Sequence, residues 1–185
     1  IKMGCKIKWI SKRKIKIVGV NCTKEISYSV MFDRIEAGTY LIVAAALEAN
    51  LKIKNVIPSI IKTEIDLLKK IGAKIVTKKN EIHITGNRKI KGINFKTEPY
   101  PGFPTDLQAQ MMVLLCKAEK KSFITESIFE NRFMHVAELQ RLGAKINIKN
   151  NTATIEGNTK FIGAELMSSD LRASVALVLA AIVSN

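Results

Sequence analysis

The sequence predicts an α/β fold made of a repeated unit of strand, buried helix, strand, outer helix and hairpin, packed so that the apolar helices meet at the centre. Two motif series predict it. The first is a set of tails, Lys2-Met3-Gly4-Cys5-Lys6-Ile7, Lys70-Ile71-Gly72-Ala73-Lys74-Ile75 and Arg141-Leu142-Gly143-Ala144-Lys145-Ile146, whose glycines stand 68 and 71 positions apart. The second is a set of aspartates, Asp33, Asp106 and Asp170, each just ahead of an apolar helical stretch. A tail at residues 1–30, almost two full units and the opening of a third account for the 185 residues.

After each tail glycine, two alternating runs read as a hairpin: Lys6–Trp9 with Lys14–Val18, Lys74–Val76 with Glu81–Ile84, and Lys145–Ile148 with Thr152–Ile155. The glycine itself suits the left-handed position that ends a helix and leads into a strand. Upstream of two tails lie amphipathic helices, Thr63–Ile71 and Arg132–Leu142. One face of each carries Ile65, Leu67 and Leu68 or Phe133, Val136 and Leu139 towards a core, and the other is expected to be wet. By contrast, Thr39–Ala49, Leu107–Ala118 and Leu171–Val183 are apolar nearly all round and are expected to be buried on every side.

The stretch Pro99–Gln110 holds three of the four prolines. Each proline fixes its own φ and pushes the preceding residue towards extended geometry, so helix begins only at Thr105 or Asp106, either of which is expected to cap it. On the residues alone this is a stiff loop with an N-cap, or a rigid platform that aims the Asp106 carboxylate at a substrate.

Hydrophobic residues make up 47% of the chain, enough to core one large or two small domains. Starting at Ile1 and stopping within an apolar run, it reads as a piece of something longer. Val175–Val183 is far short of the roughly 18 to 20 residues of a membrane span, and no signal-peptide pattern is visible. Cys5, Cys22 and Cys116 are widely spaced and lack metal-ligand spacing, which fits a reduced cytoplasmic setting with no metal site and Cys116 in the core. The net charge of +14 raises nucleic acid as a partner. Its texture argues against one: lysines alternate with isoleucines as on solvent-facing strands, and no aromatic residues interleave with them as base-stacking platforms. Only six of the 30 basic residues are arginines, which marks arginine for sites that need a planar fork. His83 and His135 read as structural.

The chain resembles the UDP-N-acetylglucosamine enolpyruvyl transferase family. The resemblance rests on Met31-Phe32-Asp33-Arg34-Ile35-Glu36-Ala37-Gly38-Thr39, on Pro99-Tyr100-Pro101-Gly102-Phe103-Pro104-Thr105-Asp106, on Ile124-Thr125-Glu126-Ser127-Ile128-Phe129-Glu130-Asn131-Arg132-Phe133-Met134-His135-Val136 and on Ser169-Asp170-Leu171-Arg172-Ala173-Ser174. It implies an inside-out α/β barrel fold and a two-domain cytoplasmic enzyme of peptidoglycan synthesis, active as a monomer without a cofactor. Residues 1–31 would end the first domain and 32–185 would form most of the second.

The implied reaction moves an enolpyruvyl group from phosphoenolpyruvate to the 3-hydroxyl of UDP-N-acetylglucosamine. In that frame Asp106 matches the aspartate beside the hydroxyl. Asp170 matches an acidic group at the reaction centre, and Ile128 and Phe129 flank the nucleotide. Arg132 and Arg172 match arginines that hold phosphoenolpyruvate, and Leu171, between Asp170 and Arg172, is expected among the substrate-binding residues. Arg34 and Glu36 are expected to serve as hinge or helix packing. The family also uses a first-domain loop with a cysteine proton donor, which none of the three cysteines matches, an early lysine and further arginines. The chain alone is therefore expected to be inactive. Two other readings stand beside this one: a shikimate-3-phosphate enolpyruvyl transferase, and a basic nucleic-acid-binding repeat protein.

Overall fold

A computed structural model describes residues 1–168 and 171–184, with Arg172 described by its backbone alone. The chain forms two compact units, Ile1–Met31 and Phe32–Asn185. In the first, β1 (Lys6–Ser11) and β2 (Lys14–Val18) make the expected antiparallel hairpin, with Lys8 opposite Lys16 and Trp9 opposite Ile15. β1 runs beyond Trp9 through an irregularity of the ladder between Trp9 and Ser11.

The second unit opens with α1 (Arg34–Ala46), which starts earlier than its apolar stretch suggests because Asp33 caps it. The Asp33 carboxylate accepts from the backbone N–H of Ile35 at 2.7 Å and of Glu36 at 3.2 Å, satisfying two donors that the helix leaves unpaired. There follow β3 (Asn50–Lys54), a 3-10 turn at Pro58–Ile61, α2 (Lys62–Lys70), β4 (Lys74–Lys78) and β5 (Glu81–Thr85). The three strands pair antiparallel in the order β3-β5-β4.

The next repeat runs β6 (Asn94–Lys96), a 3-10 turn at Thr105–Leu107, α3 (Gln108–Cys116), β7 (Ser122–Thr125), α4 (Val136–Arg141), β8 (Ile146–Lys149) and β9 (Thr152–Ile155). Its sheet has the order β6-β7-β9-β8, and β6 lies parallel to β7, so α3 is the crossover between them. No strand precedes α1 in the described residues 19–33, which leaves the earlier sheet one strand smaller. α5 (Leu171–Val183) opens a third repeat.

Helix endings set the spacing of the repeat. Gly72 has φ 114° and Gly143 has φ 93°, and each closes its helix with the same pair of bonds. Gly72 N–H donates to Lys69 O and Ala73 N–H to Leu68 O; Gly143 N–H donates to Gln140 O and Ala144 N–H to Leu139 O. This paired closure uses up orphan carbonyls and turns the chain into the hairpin. α1 ends the same way, with Glu48 N–H on Ala45 O and Ala49 N–H on Ala44 O, but Glu48 occupies the left-handed position at φ 57°.

All nine residues of α3 are buried, and it packs against α1, α5, β7 and β9. Gly38 lets α1 approach closely: a Cβ there would meet Leu107 Cδ1 at 2.4 Å. Two expectations need correction. α5 is buried only through Ala173, Ala176, Leu177, Leu179 and Ala180, while Leu171, Val175, Val178 and Ile182 form an exposed stripe. Its main contacts, α3 and α4, cover one side only. Tyr40 is likewise exposed on α1. Second, α4 begins at Val136 and not at Arg132: residues 131–135 are turns, and Val136 N–H bonds only three residues back, to Phe133 O at 3.0 Å, in place of a helical bond four residues back.

Glu48 holds a backbone conformation that costs a side-chain-bearing residue about 1–2 kcal/mol, offset in a glycine by its larger unfolded-state entropy. Glu48→Gly should therefore stabilise the protein by about 0.5–1 kcal/mol, read as a higher denaturation midpoint. An unchanged or lower midpoint would show that the α1 closure is not strained.

Candidate active site

The proline-rich stretch is a closed loop. Gly102 N–H donates to Pro99 O at 2.8 Å and Glu98 N–H to Phe103 O at 2.9 Å, while the buried Phe103 ring packs edge-on to Phe95 with centroids 4.7 Å apart. Thr63 Oγ1 on α2 donates to Pro101 O at 2.6 Å. The Tyr100–Pro101 peptide is cis. Pro104, extended at φ −73° and ψ 139°, delivers the chain into the 3-10 turn that carries Thr105 and Asp106.

The expected capping roles of Thr105 and Asp106 are not what the structure shows. The cap positions of the 3-10 turn and of α3 are Pro104 and Leu107, and neither makes a side-chain cap bond. Charged partners across the fold engage the two side chains instead. Thr105 Oγ1 donates to Glu126 Oε2 at 2.8 Å, and Asp106 Oδ1 accepts from Arg132 Nη2 at 2.8 Å. Both are charge-assisted bonds of the stronger kind.

Those partners come from the segment after β7. Glu126 is 3% exposed, and its Oε1 accepts from Thr97 Oγ1 at 2.7 Å, Ile128 N–H at 2.8 Å and Phe129 N–H at 3.2 Å. This folds residues 126–129 into a tight turn with Ile128 half-buried and Phe129 55% exposed. The Arg132 guanidinium lies 5.0 Å from the Phe129 ring centroid, so one arginine joins a carboxylate to an aromatic face.

Several clefts border this arrangement, and one of about 650 Å³ is lined by Glu126, Phe129, Arg132, Phe133 and Asn151, among others. A second of about 280 Å³ is lined by Thr105, Gln108, Phe129, Arg132 and His135, among others. Another of about 510 Å³ lies between α1 and α5 and is lined by Asp33, Glu36, Tyr40, Asp106, Gln110 and Leu171. The structure thus brings Asp106, Arg132, Ile128 and Phe129 together, and places Leu171, 79% exposed, on a cleft shared with Asp106. Asp170 and the Arg172 side chain lie outside the described residues. Among the described residues no group of three or more His, Cys, Asp or Glu is placed to hold a metal ion.

Arg34 braces the platform from behind. Its Nη1 stands 3.5 Å from Glu64 Oε1 and its guanidinium 5.1 Å from the Tyr100 ring centroid, linking α1, α2 and the proline loop. Glu36 lines the cleft between α1 and α5. His83 Nε2 lies 3.1 Å from Glu81 Oε2, and His135 is buried beside the smallest of these clefts. Cys116 is buried, and desolvation pushes its thiol up to about 12, so it carries little thiolate at neutral pH. The sequence assigns no role to Glu126 or Thr97, and to Thr105 only that of a helix cap. Glu126 lies within the stretch Ile124–Val136, but its threonine partners stand 29 and 21 residues away and only the folded chain brings them to it.

The arrangement of repeated strands and helices around α3 is that of an enolpyruvyl transferase fold. Solved structures agree: the enolpyruvyl transferase NikO from Streptomyces tendae superposes with a TM-score of 0.86 at 23% identity, over 99% of this chain and 44% of that one. EPSP synthase from Acinetobacter baumannii gives 0.73 at 23% identity, over 99% and 46%. The chain belongs to the EPSP synthase (3-phosphoshikimate 1-carboxyvinyltransferase) family, whose sequence model matches residues 1–185. Within it, similar relatives are named UDP-N-acetylglucosamine 1-carboxyvinyltransferase. The protein from Pelagibacter ubique is 68% identical over 185 residues, and that from Geotalea uraniireducens 47% over 184; each match takes in 100% of this chain and 44% of the relative. The chain thus spans under half the length of these relatives.

Burial raises the Glu64 carboxyl above its ordinary 4.5, opposed by its own backbone N–H and by Arg34. The folded state then holds this proton to higher pH than the unfolded state, so stability falls as pH rises above 4.5 through the window of the shift. Glu64→Gln removes that titration. The stability of the wild type relative to the variant should decline as the pH rises above 4.5, measured by chemical denaturation. A pH-independent difference would contradict the desolvation of Glu64.

Proposed function

We propose that residues 1–31 are the end of the first domain and 32–185 most of the second domain of a cytoplasmic UDP-N-acetylglucosamine 1-carboxyvinyltransferase, a monomeric enzyme of peptidoglycan precursor synthesis. The observation that carries the reading is the Asp106–Arg132 pair at 2.8 Å beside the exposed Phe129 ring. It puts a proton acceptor, an anion-holding fork and an aromatic surface within one cluster. The 68% identity to the Pelagibacter ubique protein across the whole chain supports the choice of substrates.

In this reading Asp106 takes the proton of the sugar 3-hydroxyl as its oxygen bonds to C2 of phosphoenolpyruvate. C3 of phosphoenolpyruvate gains a proton in the addition and loses one in the elimination, when the C2–O bond to phosphate breaks and phosphate leaves. Arg132 and Arg172 hold the phosphoenolpyruvate anion, Asp170 assists the proton movements, and Ile128, Phe129 and Leu171 contact the substrates. The same arginine that faces Asp106 can hold the anion, so the two charges that meet in the structure are those that the reaction requires side by side. Residues 1–185 supply one wall of a cleft, which cannot exclude water or complete the charge clamp alone, and turnover is expected only from the full-length protein.

Full-length protein given phosphoenolpyruvate and UDP-N-acetylglucosamine should release phosphate, and shikimate 3-phosphate should not replace the sugar nucleotide. In Asp106→Ala, UDP-N-acetylglucosamine binding should stay detectable by calorimetry while kcat falls by about 10² to 10⁴; near-normal kcat would remove Asp106 from the mechanism. Arg172→Lys keeps the charge but loses the planar fork, and should raise KM for phosphoenolpyruvate by about tenfold, the equivalent of roughly 1.5 kcal/mol for a charge-assisted bond. Sugar-nucleotide binding should hardly change. The reverse pattern would reassign Arg172 to the other substrate.

A further inference from the structure

We propose that Glu126 and Thr105 are positioning residues that lock the Asp106 turn to the Ile128–Phe129 loop, so that the base and the nucleotide-binding edge are held at one fixed separation; the inference rests on Asp106 being the base. A carboxylate only accepts hydrogen bonds, and Glu126 divides its two oxygens between two parts of the site. Oε2 takes the Thr105 hydroxyl at 2.8 Å, one residue before Asp106. Oε1 takes the Ile128 and Phe129 N–H groups at 2.8 and 3.2 Å, together with the Thr97 hydroxyl at 2.7 Å. At 3% exposure, a donor lost from this group is poorly replaced by water.

The hub is itself anchored. Glu126 N–H donates to Asn151 O at 2.8 Å, Ser127 N–H to Thr97 Oγ1 at 3.0 Å, and Ser127 Oγ to Thr97 O. Thr97 and Glu126 directly follow the parallel strands β6 and β7, with Thr97 N–H on Thr125 O at 3.0 Å. The lever on Asp106 is short. Thr105 begins a single 3-10 turn whose entry Pro104 fixes, so a rotation at Thr105 is carried directly into the next residue. The Arg132 bond holds the Asp106 carboxylate, while the Thr105–Glu126 bond holds its backbone turn.

The link separates kcat from KM. In the full-length enzyme, Thr105→Val matches the side-chain shape but lacks the hydroxyl, so it should lower kcat about tenfold to a hundredfold, as expected for a misplaced base. KM for UDP-N-acetylglucosamine should change less than about twofold, because Oε1 still holds the Ile128–Phe129 turn. Thr105→Ser restores the hydroxyl and should restore most of kcat, and Glu126→Ala should lower kcat and raise that KM together. If the valine variant does not fold, as judged by its melting transition, Thr105→Ala gives the same readout with a smaller side chain that puts no methyl group against the Glu126 carboxylate. Normal kcat in a folded Val or Ala variant, or a serine variant as slow as valine, overturns the positioning role while leaving the proposed function standing. Absence of turnover in the wild-type full-length protein overturns the proposed function, and this inference with it.

Discussion

A helix with no exposed residue can meet solvent only at its ends, and α3 is such a helix. Met111, Met112, Val113, Leu114 and Leu115 are fully buried, each contributing about 1.5–3 kcal/mol relative to exposure. Walls for this element come from α1, α5 and the sheet strands β7 and β9. Its first turn is the exception in chemistry, since Gln108 and Gln110 are buried polar residues there, with Gln110 Nε2 donating to Thr39 Oγ1 of α1 at 3.3 Å. The chain has to enter this buried axis abruptly. The closed proline loop and the one-turn 3-10 helix provide that entrance, which is why Asp106 sits at the mouth of the core and not on a mobile surface loop.

Much of this was legible in the residues. The hairpins were readable because strict alternation follows a glycine that only a left-handed helix ending explains, and the start of the platform was readable from three prolines. The same ending on α1 escaped notice because Glu48 stands where Gly72 and Gly143 stand in the later units. α4 is shorter than its apolar period suggests because Phe133 and Val136 keep helical spacing across residues 131–135, which the backbone forms as turns closed by the Val136 N–H to Phe133 O bond, and periodicity does not register that difference. The burial of α5 was overestimated for a related reason. An all-apolar sequence states what a helix could bury, while the neighbours decide how much of it is covered.

The candidate site shows a different limit. Asp106, Arg132, Ile128 and Phe129 were named through a resemblance, and the structure adds how the first, second and fourth touch. Glu126 could not be found from spacing, because its four donors come from Thr97, Thr105, Ile128 and Phe129 and meet only once β6 pairs with β7. The scarcity of arginine was the better guide. Arg34 joins Glu64 to the Tyr100 ring, and Arg132 joins Asp106 to the Phe129 ring, so both do something that a lysine ammonium does less well.

Lysine, too, follows a rule that the sheets make visible. The edge strands β3, β4, β6 and β8 carry Lys52, Lys54, Lys74, Lys78, Lys96 and Lys149, all exposed, whereas the inner strands β5, β7 and β9 carry none. An open strand edge is a row of unpaired N–H and C=O groups that invites a second chain to add itself to the ladder. With an ammonium on each such edge, two copies approaching side by side meet like charges before their backbones can pair. Part of the +14 charge therefore acts as a guard against polymerisation through the sheets, a colloidal task that needs neither nucleic acid nor any other anionic partner.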